Sequence, residues 1–114
     1  MHELVIVEGI LETVIPAVQK YPDVKRISTI KLRIGELSGV VPECIEAYFE
    51  IAAKGSIAEG AKIEFETIPV GISCKNCGYQ GPLGKKRYRC PECGSADFRI
   101  VSGKEYFVDS VEAE

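Results

Sequence analysis

Two cysteine pairs, Cys74-Lys75-Asn76-Cys77 and Cys90-Pro91-Glu92-Cys93, stand twelve residues apart in the second half of the chain. Four thiolates at this spacing close a tetrahedral metal site, and the chain between them must fold around the ion. Each pair runs straight into glycine, Gly78 and Gly94. That suits a knuckle, in which the backbone turns tightly in the left-handed region and amide N–H groups point at sulfur. A pair of disulfides is the competing reading. Nothing at the N-terminus has the pattern of a signal peptide, so a reducing, cytoplasmic setting is expected, where disulfides are rare. Zinc is the expected ion; iron accepts the same four thiolates, and the sequence does not separate the two.

A segment of about thirty residues is too small to hold a core, so its folding free energy must come largely from the metal. The whole chain has 114 residues, 46% apolar and 27% charged, which is ordinary for one globular protein. It contains no apolar run of the roughly 20 residues that span a bilayer, so no membrane insertion is expected. The net charge of −3 hides an asymmetry. From Gly71 to Gly103 six basic residues (Lys75, Lys85, Lys86, Arg87, Arg89, Arg99) face two acidic ones, Glu92 and Asp97. A divalent ion on four thiolates adds a formal negative charge that offsets part of this excess, so no specific nucleic-acid partner is implied.

Outside the cysteine segment the apolar periodicity changes twice. Leu4, Val7, Leu11, Val14 and Val18 recur at helical steps and predict an amphipathic helix from residue 3 to about 20, with a kink or fraying near 12–16 because Pro16 removes a hydrogen bond. Ile30, Leu32 and Ile34 alternate with Thr29, Lys31 and Arg33, the period of a half-buried strand. Pro42 suits the first turn of a second helix with Ile45, Phe49 and Ala52 or Ala53 inward, ending at Gly55. Ile63 and Phe65 mark another strand, and Tyr106 to Val111 a last one. The prediction is an α+β chain: a small mixed three-stranded sheet with two helices, formed by residues 1–70 plus 104–114, and an inserted zinc-ribbon domain at 71–103.

The one histidine is His2. There the α-amine of Met1, the backbone nitrogen and imidazole of His2, and a backbone nitrogen or carboxylate from Glu3 can reach one ion, a donor set that suits nickel(II) or copper(II). Met1-His2-Glu3 opening a helix, the segment Ile34-Gly35-Glu36-Leu37-Ser38-Gly39-Val40, then Lys54-Gly55-Ser56 and Ala58-Glu59-Gly60-Ala61, and the paired cysteine motifs ending in Cys93-Gly94-Ser95, closely resemble the HypA/HybF family of nickel-hydrogenase maturation proteins. The resemblance covers nearly the whole chain. It implies a nickel metallochaperone that binds Ni(II) transiently at Met1, His2 and Glu3 and holds structural zinc at Cys74, Cys77, Cys90 and Cys93. It also implies a HypB-type GTPase and the large subunit of nickel–iron hydrogenase as partners, and in some organisms urease maturation. Two departures stand out. Where some relatives place a carboxylate near the second helix this chain has Val41, with Glu36 and Glu43 as substitutes. Gly78 and Gly94 stand where some relatives carry histidines beside the zinc cysteines.

Three lesser features bear on rival functions. The run Lys85-Lys86-Arg87-Tyr88-Arg89 would serve a zinc-ribbon adaptor for nucleic acid or a transcription complex, and more often is a solvated hairpin. An iron tetrathiolate electron carrier would use the same four cysteines. The fifth, Cys44, is expected as a small core residue on the second helix. Glu36 and Glu43 flank a glycine loop, but no nucleophile, second histidine or phosphate loop accompanies them, so no enzyme is expected.

Overall fold

A computed structural model describes residues 3–84 and 88–114. The elements in chain order are α1 (Glu3–Gln19), β1 (Ile27–Gly35), α2 (Pro42–Ala52), β2 (Lys62–Ile68), β3 (Gly71–Cys74), β4 (Gln80–Pro82), β5 (Phe98–Ser102) and β6 (Tyr106–Ala113). Two three-stranded sheets result, in the orders β2-β1-β6 and β4-β3-β5. The chain divides into two compact units. The first takes residues up to Arg33, Val40–Glu66 and Phe107–Glu114; the second takes Ile34–Gly39 and Thr67–Tyr106. The sequence placed the domain boundaries at 70/71 and 103/104; the glycine segment 34–39 lies in the second unit although its flanks belong to the first.

In the first unit α1 runs through Pro16 to Gln19, close to the expected end of the helix. Pro16 sits on the exposed side, so the Glu12 carbonyl that it cannot satisfy is open to water. The buried stripe is Ile6, Val7, Ile10, Val14 and Val18, whereas Leu4 is 45% exposed and Leu11 half-buried. Apolar residues surround this helix on most sides, so several stripes fit its sequence, and packing against α2 selects one. Helix α2 begins on Pro42 at its first turn, buries Ile45 and Phe49, and is capped by Ala53, itself buried. Gly55 follows with φ +81°, and its N–H donates to the Glu59 carboxylate at 2.7 Å. That bond gives the Lys54-Gly55-Ser56 and Ala58-Glu59-Gly60 motifs a structural purpose.

Ile30, Leu32 and Ile34 are buried on β1, as their alternation predicts. Arg26 and Glu114 exchange backbone hydrogen bonds and Ser28 reaches the Glu112 carbonyl, so β6 runs antiparallel to β1. On the other side, Arg33 pairs with Glu66 and Lys31 feels Glu64; both steps run in the same sense, as in a parallel pair joined by a helical crossover. The first-unit sheet is therefore mixed.

In the second unit β3 pairs antiparallel with both β4 and β5. Its core is small: Val70, Ile72, Cys74, Leu83 and Cys90, with Tyr79, Phe98 and Ile100 packed against them. The 34–39 segment is stitched into this unit by its backbone. Gly35 N–H donates to Glu105 at 2.7 Å, Glu36 N–H to Ile68 at 3.0 Å and Leu37 N–H to Gly103 at 2.7 Å, while the Glu36 carboxylate accepts Val70 N–H at 3.1 Å. A Cβ on Gly35 would strike the Gly103 carbonyl, which explains why glycine stands there. Among the described residues no helix is long and apolar enough to cross a membrane.

Candidate metal centre

Both cysteine pairs fold into the same knuckle. In the first, Cys74 N–H donates to Tyr79 C=O at 2.8 Å and Gly78 N–H to Cys74 C=O at 3.1 Å; in the second, Cys90 N–H donates to Ser95 C=O and Gly94 N–H to Cys90 C=O, both at 2.9 Å. Gly78 and Gly94 hold φ of +80° and +74°, the conformation that the sequence reading expects of them. The backbone N–H two residues past each second cysteine, Tyr79 for Cys77 and Ser95 for Cys93, points at its sulfur.

The two knuckles bring their four sulfurs within 4.8 Å of one another. Cys74 Sγ lies 3.6 Å from Cys93 Sγ, and Cys77 Sγ lies 3.6 Å from Cys90 Sγ. Those separations are far beyond a disulfide bond. Thiolates at the zinc–sulfur distance from one tetrahedral ion would be about 3.8 Å apart. The donors fit such an ion without rearrangement. Cys74 and Cys90 are buried and Cys77 and Cys93 exposed, so the cluster opens to solvent on one side.

The matching backbones leave the two exposed thiols with different acidity. The Ser95 N–H and then the Asn76 amide, which donates to Cys93 Sγ at 3.6 Å, pull the Cys93 thiol down to about 6. Cys77 receives the Tyr79 N–H but no side-chain amide. Desolvation and the neighbouring sulfurs outweigh that one bond and push it up to about 12. Without a metal, then, the tetrad holds a proton on Cys77 and a negative charge on Cys93 at neutral pH. A divalent cation relieves both conditions. Asn76 is the functional neighbour that motif reading does not single out, because the spacing rule leaves the residues between the two cysteines unspecified.

The other candidate residues are dispersed. Met1 and His2 lie outside the described residues, and so do Lys85, Lys86 and Arg87 of the basic run. Glu3 opens α1, in the first turn, where a carboxylate complements the helix dipole. Arg89 reaches the Gly94 carbonyl at 3.4 Å and so braces the second knuckle. Glu36 is engaged with Val70 N–H, and Glu43 lies in the first turn of α2. Cys44 is half-buried, less enclosed than the core position expected of it.

The family profile described as "Hydrogenase/urease nickel incorporation, metallochaperone, hypA" matches residues 1–113. The chain belongs to the HypA family. It is 37% identical over 114 residues to the hydrogenase maturation factor HypA of Dehalococcoides mccartyi, covering all of this chain and 95% of that protein. It is 38% identical to the HypA of Geobacter sulfurreducens, with both chains fully covered. Two solution structures share the fold at 23% identity: the Ni metallochaperone HypA from Helicobacter pylori, with a TM-score of 0.69 over 99% of this chain and 97% of that one, and a second HypA protein, with 0.73 over 100% and 97%. Hydrogenase maturation and nickel handling are thus the business of this chain's family, and its α+β architecture is that of HypA structures.

Proposed function

We propose that this HypA-family chain is a nickel metallochaperone that takes up Ni(II) at its amino terminus, through the Met1 amine, His2 and Glu3, and keeps zinc on Cys74, Cys77, Cys90 and Cys93 as a structural ion. The observation that carries the reading is the family match along the whole chain combined with a preassembled thiolate tetrad. Four sulfurs in tetrahedral array suit zinc, whereas nickel(II) is suited by several nitrogen donors in a plane, so cargo and structural ion are assigned to different places. The two units correspond to these two tasks, a nickel-binding domain around residues 1–70 and 104–114 and a zinc domain around 71–103. Nickel would pass to the large subunit of nickel–iron hydrogenase together with a HypB-type GTPase, in the cytoplasm, with urease maturation as a second client route. Cargo transfer of this kind needs no catalytic group, and the chain is assigned no enzymatic turnover.

The deciding measurement is nickel titration of zinc-loaded protein with its native terminus, beside His2→Ala and a variant carrying a few extra residues before Met1. Loss of the imidazole weakens the site, and the extension does so by turning the amine into an amide. Every donor must be deprotonated, so affinity falls as pH drops from about 8 to about 6. Equal nickel affinity in all three proteins would move the cargo site elsewhere.

A further inference from the structure

One face of the β4-β3-β5 sheet carries a groove of about 420 Å³, away from the thiolate tetrad's own ligands. Gln80, Ser73 and Arg99 stand directly opposite one another across the three strands, so their side chains share that face in a single rung. All three line the groove. Among the described residues none of these side chains has a hydrogen-bond or ion-pair partner, and Arg99 is an exposed cation. Two residues along β3 the character changes. Gly71 lies opposite Pro82, the Ser102 hydroxyl fills the space that a Cβ at 71 would take, and Pro82 and Val101, which is 54% exposed, line the groove there. Ser102 is occupied, donating to the Pro69 carbonyl at 3.3 Å.

The groove thus offers an amide, a hydroxyl and a guanidinium at one end and the apolar surfaces of Pro82 and Val101 at the other. Two residues along a strand span about 6.6 Å. That is also the spacing of side chains i and i+2 on one face of an extended ligand. We propose that this face binds an extended peptide segment of the pattern acidic–any–apolar, with the carboxylate on the Gln80, Ser73 and Arg99 rung and the apolar side chain against Pro82 and Val101. Charge complementarity selects the occupant. Arg99 provides one cation with planar, paired donors, the geometry that matches a single carboxylate. A nucleic-acid strand would require a row of cations and an aromatic stacking platform, and the described residues lining the groove supply neither. The site does not depend on where nickel binds, so it stands or falls separately from the cargo assignment.

The test uses full-length, zinc-loaded protein and a labelled peptide, Ser-Gly-Glu-Thr-Leu-Gly-Ser, followed by fluorescence anisotropy and by amide chemical shifts. Replacing the peptide glutamate by glutamine, or making Arg99→Gln, weakens binding about tenfold or more, as expected for one charge-assisted pair. The two changes together cost little more than either alone, because they remove the same interaction. Val101→Glu weakens binding from the apolar end, and a peptide with glutamate and leucine adjacent binds less well than the spaced one. A cobalt-substituted spectrum confirms that each variant keeps its thiolate site. No binding at millimolar peptide, additive losses, or shifts confined to other faces would overturn the proposal. So would tighter, Arg99-dependent binding of single-stranded RNA.

Discussion

The two units are held together by different means. The first buries branched aliphatic side chains from α1, α2 and β1, among them Val7, Val14, Ile27, Ile30 and Ile45, at 1% exposure or less. The second buries a cluster of five, two of which are the sulfur donors Cys74 and Cys90. In the first unit, solvent exclusion supplies the stabilising free energy. In the second, two of the five residues of this small cluster are themselves ligands, so fold and metal occupancy become one equilibrium.

Metal removal is the largest way to break this contrast. Structural zinc in small domains contributes roughly 10–16 kcal/mol of apparent binding free energy at neutral pH. A strong chelator, or Cys77→Ala, is expected to abolish hydrogen-exchange protection across β3, β4 and β5 while α1 and α2 keep theirs. Protection that survives in β3 without metal would show that the small cluster suffices. The converse perturbation is Ile45→Ala. It leaves a cavity at a fully buried position of the first unit and should cost about 2–5 kcal/mol in denaturant unfolding. Its zinc affinity should match that of the parent; a parallel loss of zinc would mean that the two units do not unfold separately.

A smaller effect distinguishes the two knuckles. With Cys77 raised to about 12 and Cys93 lowered to about 6, metal entry at neutral pH displaces the proton on Cys77, so affinity rises with pH between those values. Below about 6 a further proton competes at Cys93 and the dependence steepens. Asn76→Ala removes the amide that favours the Cys93 thiolate. It should weaken zinc binding by about tenfold or less and move the steepening to higher pH, read by competition with a chromophoric chelator. An unchanged pH profile would assign the acidity of Cys93 to the Ser95 N–H alone.

Much of this arrangement was legible in the sequence because short-range rules decide it. Cysteine spacing with a trailing glycine fixes each knuckle, and strict alternation fixes the inward face of β1. What eluded sequence reading depends on partners distant along the chain. Pro16 is tolerated because its side of α1 faces water, and the buried stripe runs through Ile6 and Ile10, with Leu4 left exposed, because α2 packs there. Part of the acidity difference between Cys77 and Cys93 likewise comes from Asn76, which reaches a sulfur seventeen residues away.

The stitching of residues 34–39 into the second unit bears on how such a ribbon could be transplanted. A fragment cut at 71 and 103 would look like a self-sufficient cassette, with both knuckles and all three strands. It would nevertheless lose the Leu37 N–H that satisfies the Gly103 carbonyl, and Val70, which the Glu36 carboxylate anchors, from the buried cluster. A workable graft has to carry the Gly35-to-Gly39 turn as a second piece of sequence, joined by a new linker. The heritable building block here is therefore two pieces of chain, and recombination between relatives would have to exchange both together.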